Sequence, residues 1–188
     1  MYIELDKIRY YKKNLIDLAY NEKIFLYPTD TIYWLWWIPT KKVTNKIFDI
    51  KWRKLNKPLS VIAPNINRII NYFKTPKNFC EKVTNYLSKN NWITIILEKK
   101  DPKFLPNIWK DNKAGIRIIN HPIQKFVEEL EKPFISTSAN ISDKDYIPEI
   151  PKMENKITKN VDIIINQWRL NWNPSRIIDF TNNEKIIR

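Results

Sequence analysis

Tyr27-Pro-Thr-Asp-Thr-Ile-Tyr-Trp-Leu-Trp-Trp37 follows an apolar run, Ile24 to Tyr27, with the length of a short buried strand. The run opens directly onto hydroxyl and carboxyl groups, and the end of a strand is where α/β proteins usually hold ligands. Further on, Lys51-Trp-Arg-Lys-Leu-Asn-Lys-Pro-Leu59 places Lys51, Arg53 and Lys57 within seven residues and ends them with Lys-Pro before a new apolar run. Such a cation cluster suits a polyphosphate.

Outward from these two stretches, the pattern predicts strands mixed with helices. Residues 5 to 22 suit an amphipathic helix with Ile8, Leu15, Leu18 and Ala19 near one face. After a loop from Thr29 to Trp37, residues 40 to 50 suit a helix with Val43, Ile47 and Ile50 as its stripe and Thr40 as its cap. Strands are expected at Leu59 to Ala63, Ile93 to Leu97, Gly115 to Ile119, Phe134 to Thr137, Val161 to Ile165, Arg176 to Asp179 and Lys185 to Ile187. Helices are expected near Ile66 to Phe73, Lys77 to Leu87 and Gln124 to Leu130, with a variable, weakly helical loop at 141 to 160. Strands and helices do not alternate strictly, so the expectation is a single α/β domain, residues 1–188, with a twisted mixed β-sheet flanked by helices.

The chain has 188 residues, 43% of them hydrophobic, enough for one domain with a proper core. Neither a signal pattern nor an apolar run of membrane-spanning length occurs, and the expected location is cytoplasmic. With one cysteine, Cys80, and one histidine, His121, an internal disulfide and a cysteine–histidine metal cluster are excluded. Cys80 reads as a helix core residue. The net charge of +13 is spread along the chain and supports RNA contact only weakly, because AT-rich coding enriches lysine whatever the function.

Glycine is nearly absent. The sequence has one glycine, Gly115, and eight tryptophans, where average usage would give about 13 glycines. Most of the tryptophans (Trp34, Trp36, Trp37, Trp52, Trp92, Trp109, Trp168 and Trp172) sit among turn formers. Asn-Asn-Gly before Ile93 would be an ordinary turn, whereas Asn90-Asn-Trp92 is not. The richness in Lys, Ile and Asn fits an AT-rich gene. We read the tryptophans as UGA codons of a lineage that decodes UGA as glycine. The competing reading is that they are native, some forming an aromatic nucleic-acid surface.

Three segments could converge on a nucleotide: the strand end with Thr29, Thr31 and Tyr33, the cations Lys51, Arg53 and Lys57, and a second strand end with Ser136, Thr137, Ser138 and Asn140. Cations would neutralise charge building on a transferring phosphoryl group, and hydroxyls would orient it or share a magnesium ion. Taken singly, each has a plainer reading as a helix cap, a turn or a solvated face. A Walker A loop and a dinucleotide fingerprint are both absent. His121, preceding a proline, has no evident partner for serine hydrolase chemistry.

Pro28-Thr-Asp-Thr-Ile-Tyr33, Lys51-x-Arg53-x3-Lys57-Pro-Leu59, Gly115-Ile-Arg117, Ser136-Thr-Ser-Ala-Asn140 and Pro174-Ser-Arg-Ile-Ile-Asp179 occur in this order. Together they resemble the YrdC-like family of threonylcarbamoyl-AMP synthases along nearly the whole chain. That family has glycine where Trp34, Trp36 and Trp52 stand. The chain also departs from it at Ile62, where some members have histidine, at Asp143, where glycine is common, and at Arg176, which replaces a usual threonine.

The resemblance implies a YrdC-like fold and a nucleotidyltransferase reaction in which L-threonine, bicarbonate or CO2, and ATP give threonylcarbamoyl-adenylate and pyrophosphate. The product would serve tRNA modification by downstream threonylcarbamoyl-transferase proteins. It assigns Lys51, Arg53, Ser138 and Asn140 to the ATP phosphates and reacting centre. Thr29, Thr31, Arg117 and Ser175 would surround threonine. Tyr33, Lys57, Ser136 and Arg188 complete the expected substrate-binding set. ATP is a substrate, Mg2+ its expected companion, and no protein-held metal is expected. A tRNA contact belongs to the same expectation, and no membrane partner does. The alternative from the same resemblance is a YrdC-like RNA-binding protein without synthase activity. Carbamoyl-phosphate chemistry, as in hydrogenase maturation proteins, fits less well, because those chains carry zinc-binding domains. Native indoles at Trp34, Trp36 and Trp52 would be expected to crowd the cleft.

Overall fold

Short apolar runs bounded by turn formers become strands here, and period-3.6 stripes become helices. The computed structural model describes residues 1–54, 59–88, 92–105, 112–130, 132, 134–170 and 173–187. In chain order it contains β1 (Tyr2–Glu4), α1 (Ile8–Tyr20), β2 (Phe25–Tyr27), β3 (Trp34–Trp37), α2 (Lys41–Lys51), β4 (Ser60–Ile62), α3 (Ile66–Tyr72), β5 (Phe73–Lys74), α4 (Phe79–Ser88) and β6 (Ile93–Lys99). There follow β7 (Lys113–Arg117), α5 (Gln124–Glu129), β8 (Phe134–Ser138), α6 (Asn155–Thr158), β9 (Ile163–Asn166), β10 (Arg176–Asp179) and β11 (Lys185–Ile186). The described chain resolves into two compact units, Met1–Leu55 with Phe134–Asn173, and Asn56–Pro133 with Pro174–Arg188.

In the first unit the strands run in the order β1-β9-β2-β3-β8. β9 pairs in parallel with both β1 and β2, while β3 is antiparallel to β2 and to β8. β2 and β3 are buried along their whole length. The Trp36 ring lies 4.0 Å from Phe134 and packs edge-on against Phe25 at 4.6 Å. Trp37 donates its indole N–H to Thr44 Oγ1 at 3.1 Å. This corrects one expectation. Residues 34–37 are a strand, not part of a loop, because β2 and β8 flank them and take up their backbone hydrogen bonds. The Trp34 and Trp36 side chains are buried, and only Trp52 of that trio is largely exposed, at 65%.

Helix α2 begins as expected: Thr40 Oγ1 accepts from the Val43 amide at 3.3 Å, and Val43, Ile47 and Ile50 are buried. α1 is preceded by a 3-10 turn, Leu5–Lys7, and buries Leu15 and Ala19. The segment 141 to 160 carries only a 3-10 turn, Ile150–Lys152, and the short α6.

In the second unit β4 pairs in parallel with β7, β7 antiparallel with β6, β6 in parallel with β10, and β10 antiparallel with β11; β5 adds to β6. β6 buries Ile93, Ile95, Ile96 and Leu97, the consecutive burial expected of a strand covered on both faces. The strands of each unit mix parallel and antiparallel pairs, so the architecture is mixed α/β. α4 buries Phe79 and Val83, one turn apart. Cys80 is exposed, contrary to the core reading, because the position after Phe79 points about 100° away from that stripe. Among the described residues no helix is long and apolar enough to cross a membrane.

Candidate functional site

The first unit assembles its polar cluster at the C-terminal ends of α2 and β8. Helix α2 ends in the left-handed residue Trp52, at φ 49° and ψ 39°. The Arg53 amide donates to Phe48 O at 2.8 Å and that of Trp52 to Asp49 O at 3.3 Å. This is the helix stop that normally requires glycine. The reversal puts Lys51 and Arg53 in different surroundings.

Lys51 is fully buried. Its ammonium donates to the carbonyls of Ser138 and Asn140, and to Asn140 Oδ1 at 3.3 Å. Its own carbonyl accepts from the Ser142 amide at 2.9 Å. Ser138 Oγ donates to Asn140 Oδ1 at 2.6 Å, and Asn140 Nδ2 donates to Lys144 O at 2.6 Å. The residues after β8 are thereby wound around one lysine. Arg53 is half-buried, and desolvation pulls its pKa below the usual value while Asp143 and Tyr146 act in the opposite direction. Asp143 itself sits at φ 66°, a left-handed position matching the glycine usual there. Lys51, Ser138 and Asn140 are thus brought into direct contact.

The hydroxyls at the start of the β2–β3 connection fold that turn. Thr29 Oγ1 donates to Ile32 O at 2.8 Å and accepts from the Thr31 amide at 3.1 Å, with Thr31 Oγ1 at 3.0 Å. Ser136 Oγ donates to Leu35 O at 3.2 Å and lies 3.1 Å from the Tyr27 hydroxyl. Tyr33 reaches away to the end of β9: its hydroxyl accepts from the Gln167 amide at 2.8 Å and lies 3.2 Å from Asn166 Oδ1. Burial pushes that hydroxyl's pKa up to about 12.

In the second unit Arg117 ends β7 almost fully buried, and its carbonyl accepts from the Ala63 amide at 2.8 Å. Ser175, just before β10, is equally buried, with its Oγ 2.8 Å from Thr94 Oγ1. Ile62, where some YrdC-like chains have histidine, is also buried. Lys57, Arg188, Trp109 and Trp172 lie outside the described residues. Among the described residues no group of three metal-ligating side chains occurs.

The sequence reading left Ser142, Asp143, Lys144 and Tyr146 in a variable loop. Ser142 donates its amide to Lys51 O, Lys144 O accepts from Asn140, and Asp143 and Tyr146 act on Arg53. Only Asp143, at a position where glycine is common, carried a usable signal.

The mixed α/β chain thus joins a lysine, a serine and an asparagine at the end of a strand. The family model Sua5/YciO/YrdC, described as "Telomere recombination", matches residues 17–188, and the chain belongs to this family. The putative threonylcarbamoyl-AMP synthase of Methanocaldococcus jannaschii is 32% identical over 183 residues, covering 96% of this chain and 83% of the relative. Escherichia coli YciO superimposes with a TM-score of 0.80 at 24% identity, over 100% of this chain and 93% of that one. P. abyssi Sua5 complexed with L-threonine superimposes with a TM-score of 0.79 at 20% identity over 97% of this chain. The chain spans only 54% of that Sua5.

Proposed function

We propose that the chain is a threonylcarbamoyl-AMP synthase, a nucleotidyltransferase that joins L-threonine, bicarbonate or CO2, and ATP. The observation that carries the reading is the Lys51, Ser138 and Asn140 cluster beside Arg53, built from two of the five ordered motifs. Relatives named threonylcarbamoyl-AMP synthase, matching more than nine-tenths of the chain, favour the enzyme over an RNA-binding protein without activity.

The chemistry runs in two bond-forming steps. Threonine's amine attacks CO2 and loses a proton, giving a carbamate. A carbamate oxygen then attacks the α-phosphorus of ATP in line, and the bond to the bridging oxygen breaks to release pyrophosphate. The protein's task is alignment and exclusion of water. Arg53 supplies a forked cation for phosphate oxygens, and the Ser138 hydroxyl and Asn140 amide orient the α-phosphoryl group. Thr29, Thr31, Arg117 and Ser175 are the candidates for threonine, with the arginine's planar fork matching its carboxylate. Ser136 and Tyr33 keep their place in the substrate-binding set, with their hydroxyls bonded to Leu35 O and the Gln167 amide, and Lys57 and Arg188 keep their assignment to the nucleotide. Mg2+ would enter with ATP as its companion ion.

One family model spanning both compact units supports reading residues 1–188 as one functional domain. The product would pass to downstream transferases for threonylcarbamoyl modification of adenosine 37 in tRNAs, in the cytoplasm, with tRNA contact as part of the same reading. The test is pyrophosphate release by the purified chain with ATP, threonine and bicarbonate, and the product's mass. Release that needs all three substrates is expected. No release from folded protein, together with RNA binding, would replace the enzyme by the RNA-binding reading.

A further inference from the structure

We propose that Lys51 is a positioning residue, an internal staple for the end of β8, and that phosphate contact in this motif falls to Arg53. The inference deepens the synthase reading and rests on it for its kinetic arm. An ammonium has three N–H donors and no acceptor. At Lys51 the ammonium donates to the carbonyls of Ser138 and Asn140 and to Asn140 Oδ1, among the described residues. The side chain is fully buried, and the residue's own carbonyl binds the Ser142 amide at 2.9 Å. Side chain and backbone of one residue therefore grip positions 138, 140 and 142 together. A cation aimed at a triphosphate would present its N–H groups to the ligand; here they bind the strand end that carries the Ser138 hydroxyl and the Asn140 amide.

The left-handed residue between the two cations makes the division possible. With α2 stopped at Trp52, Lys51 still belongs to the helix and points inward, and Arg53 lies beyond the reversal among Asp143 and Tyr146. Lys51 thus acts through Asn140, whose Oδ1 it shares with the Ser138 hydroxyl.

Rescue by arginine separates the two roles. Arg is a good phosphate ligand, but its flat fork cannot reproduce three tetrahedral donors in a closed site. Lys51→Met and Lys51→Arg are both expected to lower kcat for pyrophosphate release by about 100-fold, the scale of a lost positioned donor. The KM for ATP should change little in either, whereas Arg53→Met should raise it. Hydrogen exchange of amides 138–144 in Lys51→Met, without nucleotide, should rise. Retained activity in Lys51→Arg, or an ATP KM defect in Lys51→Met with unchanged exchange, would overturn the proposal. Should the variants fail to fold, the wild type decides: a protected Lys51 ammonium signal in NMR, unmoved by ATP, supports the staple, and one that shifts on ATP binding refutes it. If the wild type releases no pyrophosphate the synthase reading fails, while the exchange and ammonium measurements still decide the role of Lys51.

Discussion

Replacing Trp52 by glycine and, separately, by alanine removes the indole in both cases and isolates the backbone. A residue other than glycine in the left-handed region costs roughly 1–2 kcal/mol. Glycine gives back roughly 0.5–1 kcal/mol through its freer unfolded chain. Trp52→Gly should therefore be more stable than Trp52→Ala by about 0.5–1 kcal/mol, or about 1–4 °C in Tm for a domain of this size. The cation–π contact of Lys156 with the Trp52 ring, 4.3 Å from its centroid, is lost equally in both and drops out. Thermal unfolding of the set Gly, Asn, Ala and Val at position 52 should rank them in that order. Equal or greater stability of the alanine variant would refute the argument. The codon reading separately expects UGA at all eight tryptophan codons of the source gene. UGG at position 52 would end the codon reading and leave the backbone argument standing.

Other outcomes follow from the same geometry. Ser138→Ala and Asn140→Ala should each lower kcat of pyrophosphate release by about 100-fold while circular dichroism stays unchanged, and a defect of less than threefold would remove them from the reacting centre. Arg117→Lys should raise the KM for threonine and leave that for ATP alone, measured by varying each substrate in turn. For Tyr33, a folded pKa raised to about 12 from 10.0 means stability is intact below pH 10 and is lost as pH rises toward 12, by roughly 2–3 kcal/mol. Urea unfolding at pH 9 and pH 11.5 should show about 2 kcal/mol of that loss in the wild type and none of it in Tyr33→Phe.

What could be read ahead of the structure depended on whether a segment carries its own signal. Helix α2 announced itself through a cap and a three-residue stripe, and β6 through an apolar run between turn formers. β1 did not, because Tyr2–Glu4 is a strand only by virtue of β9, more than 150 residues later. β3 carries no strand signal of its own: tryptophans after a hydroxyl-rich turn read as loop, and only pairing with β2 and β8 makes them a strand. The members of the cluster came from ordered motifs. That Lys51 would bind the backbone carbonyls of Ser138 and Asn140 was not legible, since any residue possesses a carbonyl.

The pairing of β9 with β1 and β2 also bears on biosynthesis. The first unit is interrupted: its N-terminal piece is translated early, and β8 and β9 follow only after the inserted stretch 56–133. A nascent chain carrying β2 and β3 alone exposes bare edges on both sides, with four consecutive buried-type residues in β3. Such long-range closure slows folding and prolongs the time those edges can pair with other chains. Aggregation during synthesis, more than instability of the finished molecule, is where mutations in β8 or β9 should first be felt.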